Sequence, residues 1–321
     1  MKWIKLLPTL LLASVAATSV FGQAYPTKPI RWVVGYPAGG GSDLIARTIG
    51  QAVQAQVGQP VIVDNRPGAG ANLGADAVAK SAPDGYTIFN ADNGVMVNNK
   101  FLYKKLPYDA DRDLRPVSLL VRAPLLLVVP ASSLATNLQS FITEAKRTPS
   151  QFSYGTPGNG TPHHLAMEAF KQRTGIVAVH VPYRGAAPAV TDLAGGQLQA
   201  MMLDLTTAAP FIASGRLRAL AVAAPSRLTS LPNVPTMAEA GLDFEAVLFV
   251  GAVAPSGTPD AVVARLAAEM AKAIRTPEVA RKLSEAGLQP IGSTPEEFAT
   301  VVQRTSAEWG PLIQKLGVVL D

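Results

Sequence analysis

Tyr36-Pro37-Ala38-Gly39-Gly40-Gly41-Ser42-Asp43 is the stretch of this chain best suited to hold an anion. Successive glycines let the backbone come close to a bound group. An amphipathic run, 44–57, follows them. A helix starting there presents free N–H groups, and its dipole adds partial positive charge at that end. Ser42 offers a hydroxyl, as a helix cap or as a donor to a ligand. Asp43 is an acid in a first helical turn, which stabilises by about 0.3–1 kcal/mol with no ligand at all. A fixed carboxylate repels an anion beside it. Asp43 therefore either holds the loop through backbone amides or serves another part of the ligand.

Other chemistry-bearing residues are fewer. Tyr36, Tyr154 and Tyr183 each stand where a strand gives way to a loop. Each offers an apolar wall and a hydroxyl, and three at equivalent places suggest a lined pocket. Asp204 ends an apolar run. It either accepts from a ligand amine or hydroxyl or caps the Thr206-Thr207 segment. Arg184 is suited to a bidentate pair with a carboxylate, from a ligand or from the protein.

Several activities are excluded by missing parts. The histidines are His163, His164 and His180, and no H-E-x-x-H occurs. Adjacent histidines at a helix start diverge, so they make a poor metal pair; His164 reads as a residue bonded locally. No cysteine supplies a thiolate, a nucleophile or a disulfide. No G-x-S-x-G elbow is present. Gly68-Ala69-Gly70-Ala71-Asn72-Leu73-Gly74 comes nearest to a dinucleotide fingerprint, with Leu73 in the place of the third glycine. No glycine precedes a lysine, so there is no P-loop. We expect no metal, no cofactor and no catalysis.

The elements that must position these residues alternate between strand and helix patterns, which argues an α/β fold with largely parallel sheets. Runs 30–34, 61–63 and 87–89 read as strands, and Ile45, Ile49 and Val53 share one helical face. Run 125–129 is an apolar strand ending at Pro130. The pattern then restarts: strands at 152–154, 177–181, 200–203 and 217–222, with helices from 163 and after Gly185. Another strand covers 247–253. Helices follow at 260–274 and, for the most part, over 295–316. This gives two α/β halves. Residues 25–124 with 247–321 form a discontinuous first domain, and 125–246 form the second. Ligands of such sheets bind at the carboxyl ends of strands. Two such edges facing each other make a cleft.

The start of the chain reads as an export signal. Lys2 and Lys5 precede an apolar core, 6–20, and small residues offer cleavage after Gly22 or Ala24. That core is short of the roughly 20 residues a membrane span needs. A leader over 1–24 places the mature chain in the periplasm. The formal charge is +5, two units of it in that leader, and too mild and scattered for nucleic acid.

Together the motifs resemble the Bug or TctC family, the substrate-binding proteins of tripartite tricarboxylate transporters. The resemblance rests on Tyr25-Pro26-Thr27-Lys28-Pro29-Ile30, Tyr36-Pro37-Ala38-Gly39-Gly40 with Asp43, Asn65-Arg66-Pro67-Gly68-Ala69-Gly70 and Pro83-Asp84-Gly85-Tyr86-Thr87. Leu106-Pro107-Tyr108-Asp109, Tyr154-Gly155-Thr156-Pro157-Gly158 with His164-Leu165, Val181-Pro182-Tyr183-Arg184-Gly185, and Asp192-Leu193 with Gly195-Gly196-Gln197 complete it. It spans essentially the whole mature chain. It implies a two-domain periplasmic binding protein of the Venus-flytrap type, type II, with its ligand cleft between the domains. It further implies a monomer that hands a small carboxylate to membrane permease subunits. Binding by backbone amides and hydroxyls weakens the case for Arg184. Carried over, Tyr36, Ala38, Gly39, Gly40, Ser42 and Asp43 form the first-domain corner. Thr156, Gly158, Gly160, Thr161 and Tyr183 face it from the second domain. Asn90-Ala91-Asp92-Asn93-Gly94 stands where the family usually has a Ser/Thr-rich turn. Asp92 there is an acceptor for a donor on the ligand, or a turn aspartate bonding its own backbone. A receptor reporting to a signalling partner and a two-domain hydrolase or lyase are the competing functions.

Overall fold

The computed structural model describes residues 25–148, 152–183 and 185–320. The expected leader and Arg184 lie outside the described residues. The chain opens with β1 (Ile30–Val34), α1 (Gly41–Val57), β2 (Val61–Asn65), α2 (Asn72–Ala79) and β3 (Thr87–Asp92). A π-helical turn (Gly94–Asn98) runs into α3 (Asn99–Leu102), and α4 (Ala110–Asp113) leads to β4 (Leu114–Pro130). Then come α5 (Leu138–Arg147), β5 (Ser153–Thr156), α6 (Pro162–Thr174), β6 (Val179–Pro182) and α7 (Ala186–Ala194). β7 (Met201–Asp204), α8 (Leu205–Ala213) and β8 (Leu217–Val222) follow. β9 (Val247–Pro255), α9 (Asp260–Ile274), α10 (Pro277–Glu285), β10 (Gln289–Pro290) and α11 (Pro295–Leu316) close the chain.

β4 is the strand that organises the molecule. Over 114–124 it runs antiparallel to β9. From Leu125 onward it exchanges that partner for β7 and β8. The principal sheet therefore reads β10-β4-β9-β3-β1-β2, with β7 and β8 joined to the far part of β4. β5 and β6 form a parallel pair, and a bridge from Tyr154 to Ala200 ties β5 to the start of β7.

The expectation of largely parallel sheets is corrected. β1 pairs parallel with β2 and β3, but β9 runs against both β3 and β4, and β4 runs against β7, β8 and β10. β4 and β9 pass between the two halves in opposite directions, so they must pair antiparallel. The first part of β4 escapes the hydrophobic pattern because Arg115, Pro116, Arg122 and Pro124 interrupt it. Proline donates no ladder bond and is confined to edges and bulges; the register of β4 slips between Pro116 and Ser118.

Each half is layered on both faces of its sheet. In one core Ile45, Ile49 and Val53 of α1 pack with Trp32 and with Leu266 of α9. The same sheet's other face buries Phe89 and Val253 against Phe298 and Val302 of α11. In the second half Phe141 of α5 and Phe170 of α6 cover Leu127 and Met202, while Val190 and Leu193 of α7 cover Leu126 and Leu203. Each such fully buried apolar side chain contributes roughly 1.5–3 kcal/mol relative to exposure. β1, β5 and β6 end on loops, and those loops, with the ends of β3 and β7, carry the candidate site.

Candidate functional site

In the first half the site begins where β1 ends. Gly39 takes a φ of +84°, a left-handed conformation that favours glycine. Gly40 is the N-cap of α1 with φ −84°, and no side chain among the described residues caps the helix. The helix therefore starts with N–H groups that no cap satisfies, in a loop where Ala38, Gly39 and Gly40 are exposed. Ser42 is not the cap. Its Oγ accepts from Asn90 Nδ2 at 2.7 Å, which leaves its own proton free to donate.

Asp43 holds this loop. It is buried, and its Oδ2 accepts from Gly39 N and from Arg47 Nε, both at 2.9 Å. Its Oδ1 accepts from Asn65 Nδ2 at 3.0 Å, and the same amide reaches the Tyr36 carbonyl, also at 3.0 Å. Burial pushes the Asp43 carboxyl up, but the bonds from Arg47, Gly39 and Asn65 outweigh it and hold the group below its ordinary value. Of the two roles the sequence leaves open, loop-holding is the one the geometry realises. Asn65 and Asn90 are the supporting residues that the expected site omits. Their positions at the ends of β2 and near the end of β3 are the signal that could have found them.

Asp92 closes β3 opposite Val250 rather than standing in a loop beyond it. Its Oδ2 accepts from the Tyr36 hydroxyl, and its Oδ1 from Val95 N at 3.1 Å. This is the turn aspartate that bonds its own backbone, with Tyr36 added. Burial pushes the Asp92 carboxyl up against the opposing pull of those bonds. Burial, and then the Asp92 charge, pushes the Tyr36 phenol well above its ordinary value.

In the second half the loop after β5 is built on positive-φ glycines, Gly158 at +149° and Gly160 at +70°. Thr156 Oγ1 shares a 2.6 Å hydrogen bond with His180 Nε2. Thr161 is the N-cap of α6, and its hydroxyl donates to the Gly158 carbonyl at 2.8 Å. Tyr183 N donates to the Thr156 carbonyl at 3.0 Å, so Thr156, Gly158, Thr161 and Tyr183 form one group. Gly160 is buried. A Cβ there would lie 2.9 Å from Leu102 Cδ1 and 2.7 Å from Leu320 Cδ1, so it faces the other half at close range.

His164 bonds locally, as expected: its Nδ1 accepts from Gly160 N at 3.1 Å, and its ring stacks on His180 with centres 3.9 Å apart. Burial, with His164 beside it, lowers the His180 imidazole to about 4. Asp204 caps α8, accepting from Thr207 N at 2.9 Å, and shares a 3.3 Å bond with His163 Nε2. Burial raises its carboxyl, and the bonds from His163 and Thr207 bring it below its ordinary value.

The pocket of three tyrosines is corrected. Tyr154 lies fully buried in the core of the second half. Each of the three hydroxyls is spent on an acid: Tyr36 on Asp92, Tyr154 on Glu168 and Tyr183 on Asp192. No hydrogen bond among the described residues joins the 36–43 group to the 156–183 group. The halves do meet beside them, where Gly160 approaches Leu102 and where Thr206 Oγ1 donates to the Ala286 carbonyl at 2.6 Å. Among the described residues no group of three or more metal-ligating side chains occurs.

Comparison with known proteins gives the family. The family model for the tripartite tricarboxylate transporter family receptor, TctC, matches residues 45–318. The chain belongs to the TctC family. A UPF0065 protein from the tcbD–tcbE intergenic region of a Pseudomonas species is 41% identical over 91% of this chain and 87% of that protein. Among solved structures, R. palustris Rpa4515 with adipate is 33% identical, with a TM-score of 0.85 over 92% of this chain and 99% of the other. MatC from Rhodopseudomonas palustris with bound malate is 30% identical, with a TM-score of 0.80 over 90% and 100%. As a TctC protein the chain has the two-domain fold of periplasmic binding proteins, and it is a solute-binding receptor, not an enzyme.

Proposed function

We propose that this TctC receptor captures a small carboxylate between its two halves and delivers it to the permease subunits of a tripartite transporter. One observation carries the reading: α1 begins at an exposed glycine loop with no side-chain cap, so its first N–H groups remain for an anion. Tyr36, Ala38, Gly39, Gly40 and Ser42 offer contacts from that side. Gly158, Thr161 and Tyr183 offer them from the other, and Thr156, itself buried and bonded to His180, holds that loop. Asp43 and Asp92 act by fixing the loop and Tyr36, Asp204 by capping α8, and Gly160 by letting the halves approach. That Rpa4515 was solved with adipate and MatC with malate supports a dicarboxylate here too.

In this reading 25–124 with 247–321 is one domain and 125–246 the other. The hinge lies where β4 exchanges β9 for β7 and β8. Residues 1–24 are the export signal, and the receptor works as a monomer in the periplasm. A thermal-shift screen of aliphatic, hydroxy, amino and aromatic carboxylates tests the ligand class. A true ligand at 100 times its dissociation constant adds about 2.7 kcal/mol of stability. Uptake of that ligand into membrane vesicles bearing the permease, with and without the receptor, tests delivery. Binding without any effect on uptake points to a signalling receptor.

A further inference from the structure

A cavity of about 700 Å³ opens away from the candidate site, and none of the site residues lines it. That volume lies within the range of small-molecule sites. One wall is the end of α6, another the middle of α11, and the segment 243–249 and β4 supply the floor. Phe244 belongs to the core of the second half and Phe249 to a core of the first. With the half-buried Trp309 they give the cavity an aromatic base that bridges both halves.

Its charged groups are of both signs, exposed and unpaired among the described residues. Arg173, Arg304 and Arg122 line it from α6, α11 and β4. Asp243 and Glu245 line it from the connecting segment, and Glu308 from α11. Among the described residues none of these six makes a salt bridge or a side-chain hydrogen bond. Elsewhere in the chain arginines do pair with nearby acids, as Arg31 does with Asp64 and Arg227 with Glu239. Guanidinium groups favour a carboxylate in fork geometry, and carboxylates favour an ammonium. An occupant carrying both, around an apolar body, meets all three chemistries at once.

We propose that this junction groove is a second binding site, for a zwitterionic molecule with an apolar body, of the class of short unblocked peptides. Its carboxylate faces the arginines, its ammonium faces Asp243 and Glu245, and its side chains lie on Phe244, Phe249 and Trp309. Because both halves wall the groove, an occupant is coupled to their relative position, and by reciprocity the carboxylate site is coupled to the occupant.

The test is titration of the full-length mature protein with L-leucyl-L-phenylalanine, read by Trp309 emission. Trp32, by contrast, is fully enclosed in the core. N-acetylated and C-amidated forms of the same dipeptide serve as controls. We expect saturable binding of the free dipeptide. Each blocked form, and an Arg173→Ala/Arg304→Ala variant, should bind about tenfold or more weakly, the loss that goes with a hydrogen bond to a charged group. Gly40→Val should leave the response intact, which separates this site from the carboxylate corner. No saturable response, equal affinity for free and blocked dipeptide, an unaffected arginine variant, or loss of the response in Gly40→Val each overturns the proposal. Where emission shifts little, calorimetry with the same ligands and variants gives the same decision.

Discussion

Tyr36 donates its hydroxyl to Asp92, which ties the loop after β1 to the end of its parallel neighbour β3. The pair is half-buried, and each group is the other's hydrogen-bond partner. A buried acceptor left without its donor costs about 1–3 kcal/mol, and more when it is charged. Tyr36→Phe removes only the hydroxyl. It should lower the unfolding free energy by up to about that amount in urea titration. It should also weaken every carboxylate ligand alike, because Asp92 acts through Tyr36. Unchanged stability would show that the bond contributes nothing net. Selective loss of amino or hydroxy acids alone would place Asp92 in direct ligand contact instead.

Asp43 is the second fixed point of the same loop. Asp43→Ala frees the Gly39 N–H and leaves Asn65 and Arg47 without their shared acceptor. Because bonds from Arg47, Gly39 and Asn65 depress its carboxyl, Asp43 stabilises the fold above the unfolded carboxylate range, and that gain fades as acid protonates the folded form. The variant should therefore lose stability at neutral pH, by about 1–3 kcal/mol for the broken bonds. The gap from the parent should narrow toward acid pH. Parallel stability curves across pH would contradict this role.

The histidine stack gives a distinct acid sensitivity. Unfolded histidine titrates near 6.5, whereas burial and His164 hold folded His180 near 4. Burial lowers His164 as well, and its Nδ1 is already accepting from Gly160. Between those values the unfolded chain binds more protons, so stability falls as pH drops from 6.5 toward 4. His180→Gln should flatten that part of the melting-temperature profile. An equally steep profile in the variant would assign the acid sensitivity elsewhere.

Local pattern was enough for much of this fold. β1, β8 and α9 lie where alternation, apolar runs and helical spacing put them, because each is defined by neighbours in sequence. The first part of β4 was not legible. Its strand character comes from β9, more than a hundred residues away, and its prolines and arginines argue against it locally. β3 extends through Asp92 for the same reason: β9 pairs with residues that read as a turn. α10, with Pro277 in its first turn, also went unread.

The candidate site was legible as a set of loops but not as a set of bonds. The glycine run announced a backbone corner. It did not announce that Asp43 would turn back to Gly39, or that Asn90 would take the Ser42 hydroxyl. Three tyrosines at strand ends looked alike in sequence. Burial separates them, since Tyr154 sits in the core while Tyr36 and Tyr183 are only partly covered.

The central claim is that backbone amides at the start of α1 bind the carboxylate, and Gly40 tests it most directly. Its φ of −84° suits any residue, and a Cβ there would lie 3.7 Å from the Pro37 carbonyl oxygen, an ordinary contact. Gly40→Val should thus fold as the parent does while its side chain fills the space over the helix start. Calorimetric titration of both proteins with adipate, malate and the strongest ligand of the thermal screen is the measurement. The expected result is saturable binding by the parent, absent from a Gly40→Val protein with an unchanged melting temperature. Binding retained by the folded variant, or a parent that binds none of these carboxylates, would contradict the account.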